Sequence, residues 1–164
     1  MERLWAPWRM KYIEEGSKIE GCIFCIFPAE QDDRKNLILY RGEHSFIMLN
    51  SFPYNPGHLM VAPYKHTADL YELTDEELLD VNHLARFSVR LLSATVQPDG
   101  FNLGVNLGRT AGAGIVDHVH WHVVPRWNGD TNFMPVIGET KVLPESLEAT
   151  YDKLRRKIDE LGVS

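Results

Sequence analysis

The stretch HVHWHVVPR, residues 118–126, alternates histidine with apolar residues. Its three histidines, His118, His120 and His122, recur at every second position, whereas a helix would scatter them around its circumference. This period predicts a β-strand that buries its apolar side chains and presents the imidazoles on its other face. Three interpretations are open: a metal site, a nucleophile with assisting groups, or a histidine-lined strand without chemistry.

The geometry of a strand argues against one metal ion bound by all three histidines. Alternate residues on a strand lie about 6.6 Å apart, so His118 and His122 would be separated by about 13 Å. Zinc–nitrogen bonds are only about 2.1 Å long. We therefore expect the three imidazoles to have different roles.

The elements around this stretch predict an α+β domain built on an antiparallel sheet. Thr74 and Glu77 form a predicted capping box, which begins a long helix that ends near Val96. A second amphipathic helix is predicted near the C-terminus, ending at Gly162. Strands are predicted at residues 37–40, 45–50, 58–64 and 101–107, and the turn-rich link SFPYNPG indicates that the second and third pair as antiparallel neighbours.

The bulk composition is that of one globular domain covering residues 1–164. The net charge of −6 argues against general nucleic-acid binding, and no apolar run reaches the roughly 20 residues needed to cross a bilayer. The start of the chain does not resemble a secretory signal, so we expect a cytoplasmic protein without a membrane partner.

The domain divides into an aromatic N-terminal arm (1–20), a core (22–127) that includes an exposed loop (28–36), and a C-terminal extension with a helix (128–164).

Cys22 and Cys25 are the chain's two cysteines, in the order Cys-Ile-Phe-Cys. One such pair cannot form a disulfide framework. It is open, on the residues alone, whether they are half of a zinc site, a redox dithiol or two unrelated buried thiols.

The glycine-rich loop at residues 108–114 comes directly before the histidine stretch. Small residues let backbone N–H groups approach phosphate oxygens closely, although loop flexibility alone would also explain these glycines. A neutral imidazole is a good nucleophile near pH 7, so histidines beside a phosphate site suggest covalent chemistry.

These motifs together resemble the histidine triad superfamily of nucleotide hydrolases and transferases. HVHWHVV fits its signature of His-x-His-x-His followed by two apolar residues, with apolar x. NSFPYNPGHLMVAPYKH (50–66) is similar to its Asn and Pro-Gly-His segment, and NLGRTAGAG (106–114) lies where its phosphate loop lies. The flanks LWAPWRMKYI and PRWNGDTNFMPVIG resemble one branch, the prokaryotic diadenosine tetraphosphate phosphorylases, also described as ATP adenylyltransferases.

The resemblance implies a HIT-like fold and an enzyme that cleaves dinucleoside polyphosphates at the α-phosphate through a histidine–AMP intermediate. It implies inorganic phosphate as the acceptor, giving ADP and ATP. His120 would be the nucleophile and His122 would assist the leaving group. The substrate-binding residues that it implies are Asn50 at the ribose, His58, Asn106, Gly112, Ala113 and Gly114 at the phosphates, and Phe24 beside the base.

The same resemblance implies a structural zinc and a homodimer, with no organic cofactor. Zinc-containing members bind the ion through positions that correspond here to Cys22, Cys25, His66 and His118. A set of two cysteines and two histidines closes a tetrahedral shell, which suits a structural ion. The aromatic N-terminal arm is consistent with a role between subunits.

Position 114 departs from the family pattern. Many members carry Gln, Ser or Thr just before the triad strand, whereas this chain has Gly112-Ala113-Gly114-Ile115. The departure leaves open whether phosphate or water accepts the AMP group. Two other functions also stay open: a nucleotide-binding module with little turnover, and metal-dependent hydrolysis with zinc at the triad.

Overall fold

The computed structural model describes residues 20–131 and 143–162. The aromatic arm predicted at 1–20 therefore lies outside the described residues except for Glu20, and so does much of the segment that follows Asp130. None of the described helices is long and apolar enough to span a membrane.

One antiparallel sheet of five strands organises the described chain, with strand order β1-β2-β3-β5-β4. The predicted pairing of the second and third strands is confirmed, because Phe46 lies opposite Ala62 and Leu49 opposite Leu59. The predicted α+β class is confirmed as well. The elements in chain order are α1 (Ile23–Glu30), β1 (Ile38–Arg41), β2 (Ser45–Leu49), β3 (Leu59–Pro63), α2 (Asp75–Val96), β4 (Gly100–Val105), β5 (Trp121–Arg126) and α3 (Leu147–Leu161).

Two helices cover one face of the sheet. The predicted capping box at the start of α2 is present: the Glu77 N–H donates to Thr74 Oγ1 at 3.2 Å, and the Thr74 N–H donates to Glu77 Oε2 at 2.8 Å. Helix α3 is joined to β1 by the Tyr151 hydroxyl, which donates to the Ile38 carbonyl at 3.1 Å. The main core therefore lies on this face; its fully buried members include Ile47, Leu49, Val61, Leu91, Val123 and Leu154.

The opposite face of the sheet carries a smaller apolar cluster under α1. Phe24 of this helix is fully buried against Phe46, Met48 and Met60. The predicted loop at 28–36 is wrong in its first three residues, which belong to α1. The helix was missed because Cys22 at its N-cap makes no side-chain capping bond and Pro28 lies inside it, so packing rather than local signals stabilises it.

The predicted histidine strand is also shorter than expected, because β5 begins at Trp121. Its partner β3 ends at Pro63, and the pairing of the two strands starts at Val61 opposite Trp121. Beyond that point the Val119 N–H donates to the Thr67 carbonyl instead, at 2.7 Å. His118 and His120 therefore precede the strand, and only His122 projects from it.

Candidate active site and metal centre

His120 is held in one tautomer by the backbone. Its Nδ1 lies 2.9 Å from the carbonyl oxygen of His118, and a carbonyl oxygen only accepts, so Nδ1 carries the proton. The Nε2 atom is therefore left with its lone pair. Burial lowers the pKa of His120, which is 4% exposed, and this favours the neutral ring. The neutral ring therefore presents an unprotonated Nε2, and a role for His120 as nucleophile stays a prediction.

A second chain of hydrogen bonds sets the tautomer of His122. The Tyr54 N–H donates to His58 Nδ1 at 3.1 Å, so the proton of a neutral His58 lies on Nε2. His58 Nε2 lies 2.9 Å from His122 Nδ1 and donates to it. The proton of His122 is then on its Nε2, which makes this atom a donor. The rings of His120 and His122 meet edge to face, with centroids 4.9 Å apart. The lone pair of His120 Nε2 and the N–H of His122 Nε2 therefore belong to adjacent rings.

Asn50, predicted to contact a ribose, supports His58 in this structure. Its Nδ2 lies 3.4 Å from His58 Nδ1, and its Oδ1 accepts the Phe52 N–H at 2.9 Å. The ring of Tyr54 also stacks on His58, with centroids 4.9 Å apart. Asn50 therefore lies within the histidine cluster, and its contact with a ribose stays a prediction.

Phe24, predicted to border a base, lies beneath the histidines. Its ring centroid is 4.7 Å from that of His120 and 5.2 Å from that of His118, and its side chain is fully buried. These contacts restrict the orientation of both imidazoles. A role for Phe24 beside a base stays a prediction.

The glycine-rich loop reaches the cavity beside His122 through Ala111, the residue before its predicted phosphate donors. Gly108 and Gly112 adopt positive φ angles of 78° and 90°, which L side chains rarely adopt. Within the loop the Gly112 N–H donates to the Arg109 carbonyl at 3.0 Å, and the Ala113 N–H donates to the Gly108 carbonyl at 3.4 Å. A phosphate at Gly112–Gly114 would share these donors, and that role stays a prediction.

Cys22, Cys25, His66 and His118 converge, with one potential ligand atom of each within 4.8 Å of all the others. The nitrogens His66 Nδ1 and His118 Nδ1 are 3.2 Å apart. Cys22 Sγ lies 3.3 Å from His118 Nδ1, and Cys25 Sγ lies 3.4 Å from His66 Nδ1 and 3.6 Å from His118 Nδ1. A tetrahedral zinc ion would separate two nitrogen ligands by about 3.3 Å and a nitrogen from a sulfur by about 3.6 Å. The spacing of these residues therefore fits zinc.

The protonation of this cluster also suits a metal ion. The Nε2 of His118 donates to the Pro63 carbonyl at 2.8 Å, so its Nδ1 lone pair faces the two cysteines. Burial lowers the pKa of His118 to about 4, which keeps the ring neutral, the form that binds metals. Burial raises the pKa of the Cys22 thiol to about 11, so a cation is needed to stabilise its thiolate.

A cavity of about 490 Å³ opens beside His122. Asn106, which was predicted to hold phosphate, is one of its lining residues. At its far end Arg126 forms a two-point ion pair with Asp130, and Asn55 donates to the same carboxylate at 2.7 Å. The sequence did not indicate Tyr54, Asn55 or Asp130 as site residues. Their only local signal is their place in the turn sequences SFPYNPG and WNGDT.

A buried imidazole with an unprotonated nitrogen, a donor imidazole beside it and a separate Cys2His2 cluster lie together on an antiparallel α+β fold. Residues 31–129 match the HIT domain family. An AP-4-A phosphorylase of Mycobacterium tuberculosis is 40% identical over 157 residues, which cover 92% of this chain and 80% of that protein. An adenosine 5'-monophosphoramidase of Schizosaccharomyces pombe is 30% identical over 138 residues, covering 84% of this chain and 98% of that protein.

Solved structures show the same likeness. A zinc-bound histidine triad family protein from Mycobacterium smegmatis aligns with a TM-score of 0.70 and 26% identity, covering 87% of this chain and 96% of that one. The chain therefore belongs to the HIT family, in the branch that resembles the AP-4-A phosphorylases.

Proposed function

We propose that this chain is an enzyme that cleaves dinucleoside polyphosphates, with diadenosine tetraphosphate as substrate, through a histidine–AMP intermediate. The observation that carries the proposal is the hydrogen bond from His120 Nδ1 to the His118 carbonyl, 2.9 Å long, which leaves the Nε2 lone pair for attack. The similarity to the mycobacterial AP-4-A phosphorylase supports the choice of substrate.

In the first step, His120 Nε2 attacks the α-phosphorus. A phosphorus–nitrogen bond forms, and the bond from the α-phosphorus to the bridging oxygen breaks. His122 Nε2–H donates a hydrogen bond to the departing oxygen and stabilises its negative charge, so ATP leaves as an anion and His120 carries AMP. His58 keeps its own proton on Nε2 and continues to hold His122 in position, as its 2.9 Å contact with Nδ1 supports.

In the second step, inorganic phosphate attacks the adduct. Its oxygen forms a bond to the α-phosphorus while the bond to His120 breaks, His122 keeps its Nε2 proton, and the phosphate proton is released to solvent. The products over both steps are ATP and ADP, and both histidines return to their starting tautomers. The loop at Gly112–Gly114 and Asn106 would hold the non-bridging oxygens, where charge develops in the transition state.

The identity of the acceptor is tested by product analysis. With diadenosine tetraphosphate and inorganic phosphate we expect ADP and ATP in equal amounts, and without phosphate we expect turnover to stop after one adduct per site. ATP plus AMP at the same rate with or without phosphate would contradict phosphorolysis. That result would instead support hydrolysis, the alternative that the departure at Gly114 leaves open and that the similarity to a phosphoramidase supports.

The proposal includes a structural zinc ion bound by Cys22, Cys25, His66 and His118. The ion would join the start of α1 to the segments that follow β3 and precede β5. His120 and His122 are not members of this cluster. The geometry therefore favours a structural ion over metal-dependent hydrolysis at the triad.

The proposal also includes a homodimer, formed through β4. This strand lies at the end of the sheet, and Leu103 on it and Leu107 just after it are 51% and 46% exposed. Pairing with a second copy would cover this edge and these side chains. We expect sedimentation equilibrium to give twice the chain mass and Leu103→Lys to shift the protein toward the monomer; a monomeric wild-type protein at micromolar concentration would contradict the dimer.

A further inference from the structure

The cavity beside His122 extends along the sheet, well beyond the reach of the α-phosphate. His122, Val124 and Arg126 are alternate residues of β5, so their side chains share one face. His122 and Arg126 are four residues apart. Because a strand rises about 3.3 Å per residue, about 13 Å of the strand separates them. A group that fills the far end of the cavity must therefore belong to another part of the substrate.

At Gly104, the neighbouring strand β4 places no side chain in the part of the cavity between His122 and Arg126. Gly104 of β4 lies opposite His122, and Asn102 lies opposite Val124. A Cβ added at Gly104 would meet no atom within 4 Å, and its φ is not in the left-handed region. The backbone does not require glycine at this position, but a larger side chain would fill the floor of the cavity.

The far end of the cavity is polar and its guanidinium is held in place. Arg126 Nε and Nη2 donate to the two oxygens of Asp130 at 2.6 and 3.0 Å, and Arg126 Nη1 donates to Asn102 Oδ1 at 2.7 Å. The Arg126 hydrogen bond holds the pKa of the Asp130 carboxyl well below its usual range, so the pair stays ionised. Asn55, which is 6% exposed, donates to Asp130 as well and fixes the carboxylate from behind.

The charges at the Arg126 end of the cavity indicate which kind of group could bind there. The ion pair has no net charge, and the carboxylate of Asp130 would repel a polyphosphate. Asn102 and Thr131, which also line the cavity, offer neutral donors and acceptors. Such groups suit the base and ribose of a nucleoside better than a chain of phosphates.

We propose that the end of the cavity at Asn102 and Arg126 binds the second nucleoside of the substrate, the one that leaves with the polyphosphate. Asp130 is a positioning residue, because it acts by orienting Arg126. This inference rests on the proposed function, since it concerns the leaving half of the same dinucleoside polyphosphate.

The test compares diadenosine tetraphosphate with adenosine 5'-tetraphosphate, which has the same number of phosphates but lacks the second nucleoside. We expect wild-type kcat/KM to be higher for the dinucleotide by about tenfold, the contribution of one or two hydrogen bonds. Asn102→Ala and Arg126→Lys should reduce this ratio about fivefold, chiefly by raising KM for the dinucleotide. Asn82→Ala, which removes an exposed amide on α2, is the matched control and should leave the ratio at its wild-type value.

The Asn102 side chain is exposed in the single chain, so its variant is expected to fold; thermal unfolding checks the fold, and sedimentation equilibrium checks that the proposed dimer through β4 is unchanged. A wild-type ratio near one, or a ratio that neither variant changes, would overturn the second-nucleoside site while leaving the proposed function intact. An equal loss on both substrates would assign this end to phosphates and also overturn it. If the wild-type protein cleaves neither substrate, the proposed function fails and this inference fails with it.

Discussion

His120→Asn is expected to lower turnover of diadenosine tetraphosphate by about 10⁴-fold or more, because it removes the nucleophile on which both steps depend. The asparagine amide can occupy part of the ring's volume beside Phe24, but it has no nitrogen lone pair able to attack phosphorus. Steady-state rates at saturating substrate measure the effect.

The matched control for this prediction is His83→Asn, which makes the same change at an exposed histidine of α2. It should retain wild-type turnover. Thermal unfolding of both variants separates loss of chemistry from loss of fold. Turnover by His120→Asn within tenfold of wild type would rule out covalent catalysis at this residue.

Cys25→Ser is expected to reduce bound zinc from one ion per chain to a small fraction and to destabilise the fold by about 3 kcal/mol or more. The reason is that the four ligands come from three separate segments, which the ion would cross-link in addition to the packing of Phe24 on His118 and the hydrogen bond from His118 to Pro63. Elemental analysis of the purified protein and its thermal unfolding with and without a chelator provide the measurements. His83→Ala, which removes a histidine outside the cluster, should change neither.

Zinc removal should also reduce activity indirectly. His118 would bind the ion through Nδ1, and its carbonyl oxygen accepts the 2.9 Å hydrogen bond that sets the tautomer of His120. Loss of the ion would therefore weaken the positioning of His120 as well as the stability of the fold. A purified wild-type protein that is folded, active and free of zinc would contradict the structural ion.

Much of the fold could be predicted because its signals are local. The capping box of Thr74 and Glu77 and the apolar spacing that follows it predicted α2, and the turn after β2 predicted the β2–β3 pairing. Helix α1 could not be predicted because burial of Phe24, rather than a cap, stabilises it. The start of β5 at Trp121 also depends on a distant event, the end of its partner strand at Pro63.

Part of the candidate site could also be predicted from local patterns in the sequence, and part depends on contacts between distant residues. Strand spacing predicted different roles for His118 and His122; the structure places His118 in the cysteine cluster, although His118 precedes the strand, and the roles themselves stay predictions. The joining of His66 to Cys22 and Cys25 could be expected only from the family resemblance. The contact of Asn55 with Asp130 spans 75 residues and leaves no pattern in the sequence.

The central claim is that His120 carries AMP between the two steps. The most direct measurement is to mix the protein with diadenosine tetraphosphate labelled at the α-phosphates, without inorganic phosphate, and to quench it within one turnover. We predict one acid-labile label per active site, a mass increase of one adenylyl group on the peptide that contains His120, and no label on His120→Asn. Product formation at the wild-type rate with no label on the protein at any quench time would contradict the covalent mechanism.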